Sequence, residues 1–357
     1  LVSGIAGGTG GTPGTFRNVA VTGGSSSGTV VDVITDGSST PTINIINNGS
    51  GWTEGNTATI AKANVGNSTA DITFSVETVA GGDTIHIQAG TFEETFPIRV
   101  PPNVTIFGDS LRGTKVEPAT GSATSVSTIG TVGANDASRT PGTYSNVLAT
   151  ATSGTGVGLR VNVVIDGSSA ITVTPSHGGC YFAVGDTLSI PDNLLGSGGG
   201  AALTCAVATL HNNNASTMWL VNNSNYLSFM TFQGLTTGGV VVALDPSGAI
   251  TTASPYIHNC TSVNTGSTGM LIDGNAHISG NKSMVSNDFT QINTDGKGVS
   301  VINGGRAELV SVFTYYCDKG FNTESGGTIR ALNCSNAYGE YGAFATGVSA
   351  SESPDEV

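Results

Sequence analysis

The sequence predicts an all-β chain in which a parallel β-helix, or solenoid, carries two copies of a small antiparallel β module, one N-terminal and one inserted. Three observations point there. A segment of roughly seventy residues occurs twice in the same internal order. Outside it, short apolar runs of strand length recur without hairpin signals between them, and the last two lie about 22 residues apart, the length of one coil. Glycine supplies 52 of 357 residues and charged side chains only 10%, against typical shares of roughly 7% and 25%. Stacked coils with polar, uncharged corners have that composition.

The module comes first in the chain. TPGTFRNV (12–19) returns as TPGTYSNV (140–147), and VDVITDGSS (31–39) as VNVVIDGSS (161–169). WTEGNTATI (52–60) returns as FAVGDTLSI (182–190), and DITFSV (71–76) as ALTCAV (202–207). The offset grows only from 128 residues (12 to 140) to 131 (71 to 202). Pro13-Gly14 and Pro141-Gly142 mark turns. Asp36-Gly37 and Asp166-Gly167 predict a tight hairpin, and Gly55-Asn56 and Gly185-Asp186 a second turn. Trp52 and Phe182 fill the same slot and read as core residues.

Between the copies the texture changes, in GGDTIHIQAGTFEETFPIRVPPNVTIFGDS (81–110). Residues 84–87 read as a strand, 89–92 as a turn and corner, 96–100 as a second strand, and 104–108 as a third after the Pro101-Pro102-Asn103 turn. Three strands with sharp corners make one coil. The texture returns at 226–232, 256–260, 285–292, 307–313 and 328–333, the last two preceded by Gly304-Gly305 and Gly326-Gly327. Inward Val, Ile, Leu, Phe and Cys stack from coil to coil, Asn, Ser and Thr form ladders and corners, and Gly supplies corner dihedrals. No coil buries its face alone. The division that follows is module copy 1 at 1–78, a first coil at 79–118, module copy 2 inserted at 119–210, more coils at 211–348, and a loose acidic tail at 349–357.

The net charge of −13 and the dispersal of twelve basic residues argue against nucleic acid as a partner. No apolar run approaches the ~20 residues of a membrane helix, so no membrane is expected either. The chain opens LVSGIAGGTGG, with no signal peptide and no initiator Met, and reads as a piece of a longer or processed polypeptide. Cys180, Cys205, Cys260, Cys317 and Cys334 form no CxxC pair, which argues against zinc. The odd, scattered set reads as buried free thiols, with Cys180–Cys205 the one pairing left open.

GDTIHIQAGTFEE followed by VPPNVTIFGD resembles the opening coil of the pectin lyase-like superfamily, which implies a right-handed parallel β-helix. The duplicated module, through TPGTFRNV and TPGTYSNV with DGSS and VGDTLSI, resembles repeats of virion structural proteins of tailed bacteriophages, marine cyanophage-like ones especially. The ending NAYGEYGAFATG (336–347) resembles the last coils of such proteins. Together these cover most of the chain.

Many members of that superfamily cleave polysaccharides, and glycoside hydrolysis needs two carboxyl groups about 5–10 Å apart. The acids in the coil region are Asp273, Asp288, Asp295, Glu308, Asp318, Glu324 and Glu340. Asp288 and Glu308, in or beside strands, are placed to share a face, but acids of this kind are mostly solvated, and that reading is adopted for all seven. Arg306 and Arg330, 24 residues apart, are expected on adjacent coils, where they could hold an anionic sugar. Tyr315-Tyr316 with Tyr338 and Tyr341 form an aromatic region that reads as core or interface before glycan contact. The candidate glycan-binding residues are therefore Arg306, Arg330, Tyr315, Tyr316, Asp288 and Glu308. His86, His177, His211, His258 and His277 form no HxH or HExxH pattern, and no GxSxG elbow, esterase set or Asp-rich calcium loop is present. No catalytic residue, metal site or cofactor is assigned.

The expected role is a structural component of a phage virion: tail fibre, tailspike or baseplate-associated protein, assembled in the host cytoplasm. Its expected partners are other virion proteins, two further copies of itself in a homotrimer, and host surface polysaccharide. The competing readings are a polysaccharide-degrading β-helix enzyme and a bacterial surface adhesin or filament subunit.

Overall fold

The computed structural model describes residues 2–23, 29–47, 52–76, 83–134, 139–168, 170–196, 200–276 and 280–347. The acidic tail and His277 lie outside the described residues. The protein is all-β, with mostly parallel sheets. Helix is confined, among the described residues, to single 3-10 turns such as Lys62–Asn64 and Asp192–Leu194. The chain divides into two compact units, Leu1–Gly81 and Gly82–Val357.

The first unit pairs Gly14–Ala20, Val30–Thr35 and Thr42–Asn47 as an antiparallel meander. A second antiparallel sheet joins Val2–Ala6 and Thr57–Ile60 to the two edges of Ile72–Val76. Val19, Val31, Val33, Ala58, Ile60, Ile72 and Phe74 form the core between them, and Trp52 leans on it. Burying one such side chain stabilises by roughly 1.5–3 kcal/mol.

The same plan recurs within the second unit. Gly142–Leu148, Val157–Ile165 and Ile171–Cys180 form the meander, and Ser122–Val132, Leu203–Asn212 and Thr187–Ile190 the second sheet. The likeness extends to irregularities. Asn18 (φ 53) and Asn146 (φ 56) interrupt equivalent strands in the left-handed region, which Asn tolerates better than most residues. Their N–H groups donate to Asp32 Oδ1 (2.9 Å) and Asn162 Oδ1 (2.8 Å). The Asp-Gly turns are wider than the tight hairpin expected. Ile34 pairs with Thr42, and Ile165 with Ile171. The aspartate is the reason: Asp36 Oδ1 accepts the Ser38 and Ser39 N–H groups, and Asp166 Oδ1 those of Ser168 and Ala170, so each carboxylate organises a longer loop. Those bonds hold the Asp36 carboxyl at about 2, the Ser38 N–H contributing most.

The remainder of the second unit is three parallel ladders. The first runs Thr84–Ile87, Thr105–Gly108, Tyr226–Ser228, then the opening halves of Tyr256–Thr265 and Ser283–Thr294, then Arg306–Val310 and Thr328–Leu332. The second runs Gly90–Glu94, Thr114–Pro118, Thr231–Gln233, the closing halves of the same two long strands, Phe313–Tyr315 and Ser335–Ala337. The third runs Ile98–Arg99, Thr217–Val221, Val240–Leu244, Thr268–Asp273, Lys297–Ile302, Lys319–Glu324 and Tyr341–Thr346.

Residues 104–108 are not a third side of the first coil, because Thr105–Gly108 pairs in parallel with Thr84–Ile87 and lies in the same ladder. Of residues 89–92, read as a turn and corner, only Ala89 bends; residues 90–92 belong to a strand, Gly90–Glu94, paired along its length with Thr114–Pro118. Its polar sequence hides it, since a ladder asks for backbone groups rather than apolar side chains. The chain leaves the second ladder at Pro118, builds the second module, and re-enters in the third ladder at Thr217. The module rests on the outside of that ladder through Cys180, Leu220 and Ala243.

Glycine supplies positive φ at some turns, as expected, among them Gly304 (φ 72) and Gly326 (φ 77) before the last two strands of the first ladder. The corner between the first and second ladders is turned by a column of other residues at positive φ: Phe229, Asn259, Asp288, Ser311 and Asn333. Glycine has a second place, in the interior. Register places Met218, Val241, Gly269, Gly298, Gly320 and Gly342 in one column of the third ladder. The second ladder's column reads Phe92, Val116, Phe232, Ser262, Gln291, Thr314 and Asn336. Where the second column turns polar, the first turns to glycine.

All five thiols are free, which removes the Cys180–Cys205 pairing. Burial pushes Cys180 and Cys260 up to about 12 and Cys205 to about 11. Only Cys334 is partly exposed. An aromatic disulfide reagent should therefore label Cys334 alone in the native protein and all five thiols after denaturation. Fewer than five in denaturant would reveal a disulfide.

Candidate functional site

The first ladder builds its outer face by register. One column reads Thr84, Thr105, Tyr226, Tyr256, Val285, Glu308, Arg330, and the next His86, Phe107, Ser228, His258, Asn287, Val310, Leu332. Side chains in such columns stand roughly one strand spacing apart, which brings the rings together. Tyr226 and Tyr256 lie 5.3 Å apart between centroids, and Tyr256 stacks on His258 at 6.0 Å and 14°. Phe229, at the corner, meets His258 edge-on at 5.9 Å and Phe107 at 5.2 Å, and Phe107 meets His86 at 5.5 Å. Six half-buried or exposed rings thus form one continuous surface over the first four strands of that ladder.

Two carboxylates border it. Asp109 accepts at His86 Nε2, and Asp288 Oδ2 stands 4.0 Å from His258 Nε2. His258 Nδ1 is buried without a partner among the described residues. Burial raises the Tyr226 hydroxyl above the ordinary tyrosine range, so it stays a neutral donor at physiological pH. The surface offers flat apolar rings, hydroxyl and imidazole donors, and carboxylate acceptors at its margin.

The six residues chosen from sequence do not form one site. Arg306 pairs in register with Ser283 and Thr328, so Arg330 lies over Glu308 and not over Arg306. Glu308 and Arg330 make an exposed ion pair at 3.8 Å, of a kind worth little. Asp288 lies at the corner level with Ser311, three positions beyond Glu308's level, so the two acids do not face each other. Tyr315 is level with Ile292 and Ala337 in the second ladder. Tyr316 stacks on Tyr338 at 5.3 Å and 18° at the C-terminal end of that ladder, and Tyr341 stands against Phe344.

Asp273 departs from the solvated reading. It is half-buried against the inserted module, where its Oδ2 meets His177 Nε2 at 3.1 Å and its Oδ1 accepts from Asn303 Nδ2 and the Asn275 N–H, both at 2.8 Å. His177 Nδ1 meets Asn146 Oδ1 at 3.2 Å. Burial opposes the charge on Asp273, but the bonds from His177, Asn303 and Asn275 outweigh it and draw its pKa below the usual value. Among the described residues, no group of three His, Cys, Asp or Glu is placed to hold a metal ion.

The aromatic face was half-legible. Tyr226 and Tyr256 open two segments that align by eye, YLSFMTF and YIHNCTS. His86 and Phe107 were hidden, because reading 84–108 as a single coil placed them on different sides. No known protein family and no curated protein matches this chain.

Proposed function

We propose that the three ladders are the sides of a right-handed parallel β-helix, and that the protein is a rigid structural element of a phage virion: tail fibre, tailspike or baseplate-associated component. The observation that carries this is the common strand order of the ladders, each coil hydrogen-bonded in parallel to the one before and the one after. A stack so bonded has no internal hinge, and its stability is collective. The duplicated module and the low charge support the same reading. The aromatic face is the part that meets host surface polysaccharide, since flat rings with polar tips suit an amphipathic ligand. Asp288 and Glu308, the two acids expected to share a face, stand at different levels of the first ladder, which favours attachment over cleavage.

The protein acts as a homotrimer among other virion proteins. Light scattering of the full chain should give three times the 35.7 kDa chain mass, and a clean monomer would overturn the trimer. Labelled antibody on intact particles in electron microscopy should mark the tail. Tyr256→Ala should weaken retention on host polysaccharide about tenfold, the loss of one contact worth ~1.4 kcal/mol. Retention equal to that of the unaltered protein would remove this face from the function.

A further inference from the structure

Arg160 lies in Val157–Ile165 of the inserted module and is only 4% exposed. A guanidinium cannot shed its proton to relieve burial, so a buried arginine ordinarily meets a carboxylate or another anion. Here Nη1 donates to the Asn146 carbonyl at 3.4 Å and Nη2 to the Pro246 carbonyl at 3.2 Å, both neutral. Nε is buried with no acceptor among the described residues. Burial draws the pKa of Arg160 below its ordinary value, and no neighbouring carboxylate opposes that fall. Asp245, on the adjacent coil, is committed elsewhere: its Oδ2 accepts from Arg99 Nε at 2.6 Å, and its Oδ1 from the Ser247 N–H and hydroxyl.

A cavity of about 400 Å³ adjoins Arg160, walled by the module at Thr150, Gly156 and Gly158 and by the coil loop at Pro246, Ser247 and Ala249. That volume suits a small solute. We propose that this cavity binds an oxyanion, the phosphate or carboxylate group of a small solute, whose charge pairs with Arg160. The site is distinct from the aromatic face and does not depend on the role assigned to it. Its occupant ties the module to the coil, because its two walls come from the two parts.

The test is thermal unfolding of the full chain at ionic strength held constant with sodium chloride, titrated with inorganic phosphate and separately with galacturonate. The expected result is a saturable rise in Tm of several degrees with at least one of them. Phosphate alone acting identifies a phosphate group as the ligand, and galacturonate alone an acidic sugar. Arg160→Gln should abolish the rise. Ala249→Trp, which fills the cavity and leaves the guanidinium in place, should abolish it too, and it decides the matter if Arg160→Gln does not fold. No saturable rise with either solute, or a rise that survives Ala249→Trp, overturns the proposal.

Discussion

Gly298→Val should lower the stability of the second unit by about 3 kcal/mol or more, the upper range for overpacking a filled interior. A side chain there would begin 2.5 Å from the Gly320 carbonyl oxygen and run into the Thr314 methyl group. Thr314 is fully buried and Gly320 is backbone, so neither can give way. Gly320→Val should behave alike, since its first carbon would stand 2.5 Å from Asn336 Oδ1. Urea unfolding followed by circular dichroism should show an earlier midpoint for both. Gly304→Ala is the control. Nothing lies within 4 Å of a side chain there, but Gly304 sits at φ +72, so a smaller loss from backbone strain alone is expected. Equal midpoints for Gly298→Val and Gly304→Ala would show that the glycine column is not filled from the opposite ladder.

Asp273→Ala should loosen the inserted module from the third ladder. It leaves His177 and the Asn303 amide without their acceptor in a half-buried place, and removing one partner of such a hydrogen bond costs about 1–3 kcal/mol. Faster hydrogen exchange should appear in Ile171–Cys180, while the Arg306–Val310 ladder stays protected. The pH dependence has a definite sign. The folded pKa of Asp273 lies below its ordinary 3.8, so its ionised form stabilises the fold fully above that value. The contribution is lost as the pH falls through the lowered folded value. The unaltered protein should therefore lose stability below pH 3.8 through a step that Asp273→Ala lacks. Parallel acid-unfolding curves for the two would assign the step to other carboxylates.

The duplicated module was legible because its evidence is local. Four matched segments keep their order, and each turn carries its own chemistry, as at Asp36 and Asp166. The strands of the parallel ladders were legible as texture but not as register. The spacing of 22 holds at the C-terminal end, where Arg306 pairs with Thr328 and Lys319 with Tyr341. Earlier, Tyr256 pairs with Val285, 29 positions on, and Tyr226 with Tyr256, 30 on. Across the insertion Thr105 pairs with Tyr226. Loops of unequal length absorb these differences, so no single period exposes the columns. The arginine pair fails for a simpler reason: Arg306 and Arg330 lie on neighbouring strands, as expected, but they are 24 positions apart where the register advances by 22, so Arg330 meets Glu308.

The order of residues alone determined that this chain is strand-rich, that a module is used twice, and that its charge is sparse. Each of these follows from contacts between near neighbours or from composition. Which ring meets which, which glycine faces which amide, and which aspartate finds a histidine were decided only by the folded stack. Parallel pairing joins residues tens of positions apart through backbone groups that all residues share, so the identity of a side chain carries almost no information about its partner.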